Sequence, residues 1–111
     1  MISVAECDAK IKEFTNVKTQ IEGLITSLEG CSSQADKAIT YTKETIINGE
    51  PIDTGTLDGL PSVLKSVAAN LNSLVSECVA LIGKYEALKA EAIAYLKYLE
   101  ELRMQEQRHL R

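Results

Sequence analysis

The chain has few of the residues on which catalytic and metal sites depend. Its 111 residues include no Trp, one Phe, one His and three Cys, and no two Cys have C-x-x-C spacing. His109 lies near the C-terminus, so neither a Ser/His nor a Cys/His pair has an oriented base. No G-x-x-x-x-G-K-[ST] or G-x-G-x-x-G phosphate loop occurs, and the one Glu-x-x-His sequence, at Glu106 and His109, has no second copy with which to mark a di-iron bundle site. The sequence therefore predicts a protein that is not an enzyme and has no cofactor or metal site.

Charge and hydropathy argue against two further classes. The net charge of −4 gives no general attraction to nucleic acid or to an acidic membrane surface. No unbroken apolar run approaches the roughly 18 residues that span a bilayer. The first residues lack the basic start and apolar core of a signal peptide. We expect a cytoplasmic protein, or one exported without a cleaved signal peptide, with no nucleic-acid partner and no stable membrane insertion.

The three cysteines are widely spaced along the chain. Free Cys usually behaves as a small buried hydrophobe, and we expect this of Cys7, Cys31 and Cys78. A Cys31–Cys78 bridge is the alternative if two helices pair antiparallel, although cytosolic thiols normally stay reduced.

The second half of the chain carries an unbroken apolar stripe at alternating steps of three and four residues. Such a step is the period of a helix that keeps one face against a neighbouring helix. Its fourteen members are Leu57, Leu60, Leu64, Val67, Leu71, Leu74, Cys78, Leu81, Tyr85, Leu88, Ala92, Tyr95, Leu99 and Leu102.

The first half carries a weaker counterpart, in which ten of thirteen positions are apolar and Lys18, Ser32 and Thr42 are polar. Its members are Val4, Cys7, Ile11, Phe14, Lys18, Ile21, Ile25, Leu28, Ser32, Ala35, Ile39, Thr42 and Ile46. Both halves therefore predict long helices.

Three Gly and two Pro between Asn48 and Pro61 interrupt the helical pattern. Asn48-Gly49 fits a helix C-cap, Asp53 or Thr54 fits the cap of a short turn, and Pro61 fits the first turn of the next helix. We predict a single all-α domain over 1–111: a helix over about 3–47, a turn over 48–61, a helix over about 62–105 and a basic tail over 103–111. Two equal arms favour a long antiparallel helical hairpin, and a continuous rod is the lesser alternative.

Further apolar residues lie beside the stripes, and three apolar positions per heptad are typical of larger bundles. We therefore predict that the hairpin is half of a four-helix bundle, in a dimer or a hetero-complex, and that its partner is another helical protein or a second copy. The alternative is a monomer that leaves these residues moderately exposed. The candidate partner-binding residues are Val17, Leu24, Ala68, Val75, Ile82 and Leu96.

The three Arg, Arg103, Arg108 and Arg111, all fall in the last nine residues. Cations there complement the C-terminus of a helix. The functional alternative is a recognition tail for an acidic or phosphate-bearing surface, with binding that weakens in salt.

The segment Ile52-Asp53-Thr54-Gly55-Thr56-Leu57-Asp58, followed by a leucine-rich helix, resembles the small helical partners of LXG toxins in type VII secretion systems. The size and the Gly-containing break also resemble the wider Esx-like helical hairpins. The chain departs from that wider family in lacking Trp-Xaa-Gly and the export signature of an aromatic residue followed four residues later by an acid. Type III secretion needle subunits are a more distant likeness, because their turn has two Pro separated by two residues whereas Pro51 and Pro61 are ten apart.

The resemblance implies a targeting or chaperone-like partner that bundles with the helical N-terminal domain of a secreted LXG-type effector. The alternative is a self-assembling structural or scaffold coiled-coil protein. Because helical seams serve many unrelated functions, the step from this architecture to a role is one of association.

Overall fold

The computed structural model describes residues 1–110 and consists of two long helices joined by a short ordered turn. Helix α1 is Val4–Glu44 and helix α2 is Leu60–Leu110. Between them lie strand β1 at Ile46–Ile47, strand β2 at Glu50–Pro51 and a 3-10 helix at Gly55–Gly59. The all-α helical hairpin predicted from the two stripes is confirmed.

Helix α1 starts with a side-chain cap. The Glu6 backbone N–H donates to Ser3 Oγ at 3.1 Å, and the Cys7 N–H donates to the Ser3 carbonyl at 3.0 Å. Ser followed three residues later by Glu is the sequence pattern of a capping box, and it satisfies N–H groups that have no partner within the helix. The helix therefore begins at a position fixed by its own sequence.

The turn after α1 differs from the predicted helix cap. Ile46 pairs with Pro51 and Ile47 with Glu50 in an antiparallel bridge. Asn48 and Gly49 are its two central residues, with φ of 54° and 82°. Two positive φ values define the turn type that Asn-Gly favours in two-residue β-hairpins. The helix thus ends at Glu44 rather than at about residue 47, since the next residues pair as strands.

Helix α2 is longer at both ends than predicted. Pro61 lies in its first turn, where the missing N–H has no helical partner to lose. The predicted tail is helical to Leu110, because Arg, Met, Gln, Glu and Leu all favour helix. Arg108 and His109 in the last turn complement the helix dipole. Arg111 lies outside the described residues.

The chain forms two compact units, each with a segment from both helices. The terminal unit comprises Met1–Val17 and the chain from Glu77 onward. The turn-proximal unit is Lys18–Ser76. In the terminal unit the rings of Phe14 and Tyr85 stack with centroids 5.9 Å apart. In the turn-proximal unit Ser32 Oγ donates to the Pro61 carbonyl at 2.9 Å. Both contacts join α1 to an antiparallel α2.

The α1 seam matches the predicted stripe. Its buried and half-buried residues are the twelve predicted positions from Val4 to Thr42. Lys18 is one of them, and its ammonium lies 3.2 Å from Glu22 Oε1, so the aliphatic stem lines the seam while the charge meets a carboxylate. Ile46, the last predicted member, is exposed in β1.

The α2 seam is displaced by one row from the prediction. Its residues are Pro61, Leu64, Ala68, Leu71, Val75, Cys78, Leu81, Ile82, Tyr85, Leu88, Lys89 and Ala92. Several predicted members are exposed instead: Leu57, Leu60, Val67, Leu74, Tyr95, Leu99 and Leu102. The row of Leu60, Val67 and Leu74 and the adjacent row that begins at Pro61 are both apolar, so periodicity alone does not indicate which of the two contacts α1. The structure places the row of Pro61, Ala68 and Val75 toward α1.

The cysteines are free, which corrects the alternative of a Cys31–Cys78 bridge. Cys7 and Cys78 are buried as expected, whereas Cys31 is exposed and does not follow the expectation. Cys31 precedes the seam residue Ser32 by one position, and that step turns its side chain out of the seam.

Candidate docking surfaces

The structure divides the predicted partner-binding residues into two groups. Val17, Leu24 and Leu96 are exposed. Ala68 is 3% exposed, and Val75 and Ile82 are half-buried. The predicted placement of the second group beside the seam is wrong, because these residues belong to the α2 seam itself. An acidic residue at Val75 or Ile82 would therefore destabilise the hairpin as well as any complex.

Heptad positions show which side chains share a broad face of the hairpin. If the seam residues of α1 and α2 are the a and d positions, the c and g positions of both helices lie on one broad face, and b and e lie on the other. This follows because antiparallel helices are related by an approximate twofold axis perpendicular to the plane of their axes. Lys43, the last e residue of α1, forms a 3.1 Å ion pair with Asp58 of the 3-10 helix that precedes α2.

One face of the turn-proximal unit has no charged residue, and we call it the uncharged face. All twelve of its c and g residues are exposed. They are Gln20, Leu24, Ser27, Cys31, Gln34, Ala38, Tyr41, Leu60, Val63, Val67, Asn70 and Leu74. Six are large apolar or aromatic side chains, and the rest are small or neutral polar.

The opposite face of the same unit is charged. Its e row carries Glu22, Glu29, Asp36 and Lys43 on α1 and Lys65 on α2, and the 3-10 helix before α2 adds Asp58. Asp58 accepts a hydrogen bond from the Thr54 hydroxyl and pairs with Lys43. The Thr54 hydroxyl and the Lys43 ammonium together hold the pKa of the Asp58 carboxyl below its usual range. Charge in this unit is therefore sorted to one side of the hairpin.

In the terminal unit, charged residues are not confined to one face. Its c row includes Glu13, Lys84 and Glu91, next to apolar residues of the g row. Asp8 Oδ1 lies 2.7 Å from Lys89 Nζ and raises the pKa of that ammonium group. Lys89 thereby occupies a seam position with a carboxylate partner from α1.

The second candidate surface is the end of α2. Every residue over 93–110 is exposed, and Ala92 is the last buried one. Met1, Ile2 and Val4 line a groove with Ala92, Tyr95 and Leu96, so α1 starts where this exposed segment begins. We call residues 93–110 the C-terminal extension. Tyr95, Leu99 and Leu102 form an apolar stripe along it, and Leu96 flanks that stripe.

The basic residues of the predicted tail lie on this extension. Arg103 and Arg108 are exposed along the helix, while Arg111 lies outside the described residues. Glu100, Glu101 and Glu106 are interspersed with them, so the segment carries both signs. The arrangement is a helix with an apolar stripe and a mixed polar remainder.

The exposure of Leu60, Val67 and Leu74 was not predicted, because all three had been assigned to the α2 seam. A signal was present in the sequence. Their heptad row continues through Leu81, Leu88, Tyr95 and Leu102 without a polar residue, whereas the row that faces α1 is interrupted by Lys89. A complete apolar row beside an interrupted one indicates a second contact surface.

Metal binding and membrane insertion are two further possibilities for the described residues. Over 1–110 no group of three His, Cys, Asp or Glu side chains is placed to hold a metal ion. The helical stretch Gly55–Leu110 contains an 18-residue window of mean hydropathy 1.3, which meets the length and composition of a membrane span, and 11% of that window is buried. Core helices of soluble proteins pass the same test, so the expectation of no membrane insertion stays a prediction.

Comparison with models of protein families, with curated protein sequences and with solved structures finds no match to this chain.

Proposed function

We propose that this chain is a non-catalytic helical interaction protein whose C-terminal extension binds a helix of another protein. The observation that carries the proposal is the exposed apolar stripe of Tyr95, Leu99 and Leu102 on a helix that has passed the start of α1. The extension is about 27 Å long at 1.5 Å per residue. Isolated helices of this length are marginal in water, so a bound helix would cover the stripe and also stabilise the helical backbone of the extension.

The chemistry of the extension fits a helical partner. An amphipathic helix with apolar anchors at steps of three and four is the pattern of helix-in-groove recognition. Leu99 and Leu102 are each about 40% exposed, so covering them contributes roughly 1 kcal/mol apiece. Arg103 lies beside the stripe and would contribute to a polar rim around it.

The proposed partner is the helical N-terminal domain of a type VII-secreted, LXG-type effector, for which this chain acts as a targeting or chaperone-like factor. The support is the resemblance of Ile52–Asp58 and the following helix to the small partners of such toxins. Arg103 and Arg108 would meet acidic groups of that domain, and their contribution would weaken with salt. Their alternative role is to complement the helix C-terminus.

Co-expression with the helical N-terminal domain of an LXG-type effector from the same genome tests this proposal. We expect the two chains to co-purify, and Leu99→Asp with Leu102→Asp to abolish the complex. Met104→Asp is the matched control, because Met104 is similarly exposed but lies on the opposite side of the helix. Circular dichroism should show equal helicity for the free variants, since none of these residues lies in the seam. The proposal would be refuted if Met104→Asp, and not the double variant, lost binding. It would also be refuted if the native chain formed no complex.

Self-assembly into a structural or scaffold protein is the second candidate function. The uncharged face favours it, because a second copy of the same chain could cover that face and no other gene product would be needed. Light scattering on the purified chain distinguishes the two candidates: assembly beyond a dimer, without any added protein, supports a scaffold.

A further inference from the structure

We propose that the uncharged face binds the uncharged face of a second copy of this chain, which forms a four-helix dimer around the turn-proximal unit. This contact is separate from the C-terminal extension, so it does not depend on the proposed effector partner. It would leave the extension free to bind that partner.

The distribution of charge indicates a second copy as the occupant. In a twofold dimer each surface patch meets the same patch of the other copy, so like charges near the axis face each other. A dimer formed through the opposite face would bring Glu22, Glu29 and Asp36 of the two copies close together. The uncharged face has no such conflict, and its pairing would leave the charged residues of the opposite face in solvent.

Side-chain size also fits pairing with itself. On α2 the g row presents Leu60, Val67 and Leu74, which project as a ridge. On α1 the corresponding row presents Cys31 and Ala38, which leave a shallow groove C-terminal to Leu24. A twofold axis that passes through the centre of the face parallel to the helices would place the ridge of each copy over the groove of the other.

The size of the face agrees with what a dimer needs. It is about 30 Å long, from the rise per residue, and about 20 Å wide across two helices. Each copy would therefore cover roughly 600 Å² and the pair roughly 1,200 Å², which is the lower end for stable specific interfaces. The expected dimer is reversible and depends on concentration.

Sedimentation equilibrium of the full chain, without any effector, tests the proposal. We expect a mass of twice 12.1 kDa that falls toward 12.1 kDa on dilution. Val67→Glu should raise the dimer dissociation constant at least about tenfold, because it places a charge in the contact. Val79→Glu is the matched control: Val79 is a similarly exposed valine of α2 at an e position outside the uncharged face, and its variant should dimerise normally.

Cys31 provides a second measurement that needs no variant. It lies on the uncharged face and is exposed, whereas Cys7 and Cys78 are buried and act as slow internal controls. Labelling of Cys31 by a maleimide should slow as the protein concentration rises through the dissociation constant. The variant Leu99→Asp with Leu102→Asp should still dimerise, which separates this proposal from the effector proposal.

Three results would overturn the dimer. One is a chain that stays at 12.1 kDa up to about 1 mM, where a millimolar contact would be half formed. Another is equal weakening by Val67→Glu and Val79→Glu. The third is a Cys31 labelling rate that is the same at all concentrations. If Val67→Glu proves unfolded by circular dichroism, the Cys31 measurement on the native chain decides.

Discussion

Replacing Ser32 by Ala should remove one hydrogen bond between the helices and leave the rest of the hairpin in place. Ser32 is 1% exposed, and its hydroxyl donates to the Pro61 carbonyl at 2.9 Å. A hydrogen bond of this kind contributes about 1 kcal/mol net to the free energy of unfolding. Ala also favours helix over Ser by about 0.5 kcal/mol, which offsets part of the loss.

The neighbouring Ser33 separates these two effects. It is exposed on the same turn of α1, so Ser33→Ala should gain the helix propensity and lose no hydrogen bond between the helices. We expect Ser32→Ala to destabilise by about 0.5 kcal/mol and Ser33→Ala to stabilise by about 0.5 kcal/mol. The difference between the two variants, about 1 kcal/mol, isolates the hydroxyl of Ser32.

Urea unfolding followed by circular dichroism measures this difference, with all variants at one protein concentration so that association is held constant. In thermal unfolding the same difference corresponds to about 4 °C between the two midpoints. If the two variants agree within about 0.3 kcal/mol, the hydroxyl makes no contribution and the reasoning about the contact between Ser32 and Pro61 is refuted.

Three further predictions concern the turn, the charged face and the extension. Gly49→Ala should destabilise by about 1 kcal/mol, since φ of 82° is strained for Ala; an unchanged urea midpoint would contradict the turn geometry. The lowered pKa of Asp58 contributes stability above the usual carboxyl pKa, and that contribution is lost as pH falls through the lowered value. Asp58→Asn should therefore be less stable than the native chain at pH 7 and closer to it at pH 3, and a constant gap would count against the linkage. Amides over 97–110 should exchange with deuterium faster than those of the α1 seam in the free protein, and added effector domain should slow them; equal protection without a partner would mean that the extension is already covered.

Sequence patterning predicts the two helices and the α1 seam, because both follow from the apolar pattern within one helix. Lys18, Ser32 and Thr42 interrupt the α1 stripe, yet the neighbouring rows are more polar, so only one row could face α2. The Gly and Pro residues likewise permit only a break between the helices. These features are decided within one helix or one turn.

The α2 seam could not be predicted in the same way. Three adjacent rows of α2 are apolar, and hydrophobicity alone does not say which two meet α1. That choice depends on contacts across the hairpin: Pro61 with Ser32, Lys89 with Asp8, and Tyr85 with Phe14. Because of this uncertainty, Leu60, Val67 and Leu74 were predicted to lie in the seam, and the uncharged face to which they belong was not predicted.

The turn illustrates a different limit. Asn48-Gly49 fits both a helix C-cap and a two-residue hairpin turn, because both place a residue at positive φ. The flanking Ile46 and Ile47 are β-branched, and this favours strand pairing over another half-turn of helix. Weighing those two residues would have placed the end of α1 correctly.

The fully buried side chains of the hairpin are few and mostly small. Four of the five buried hydrophobic residues are Cys or Ala, with Ile25 as the fifth, and larger seam residues such as Phe14 and Leu71 are only half-buried. A hairpin with so small a fully buried core is expected to open more often when its surfaces are uncovered, and proteases degrade the open form. Under the interactions proposed above, copies made in excess of their partners would be cleared first, and the amount of protein would follow the number of sites that it occupies.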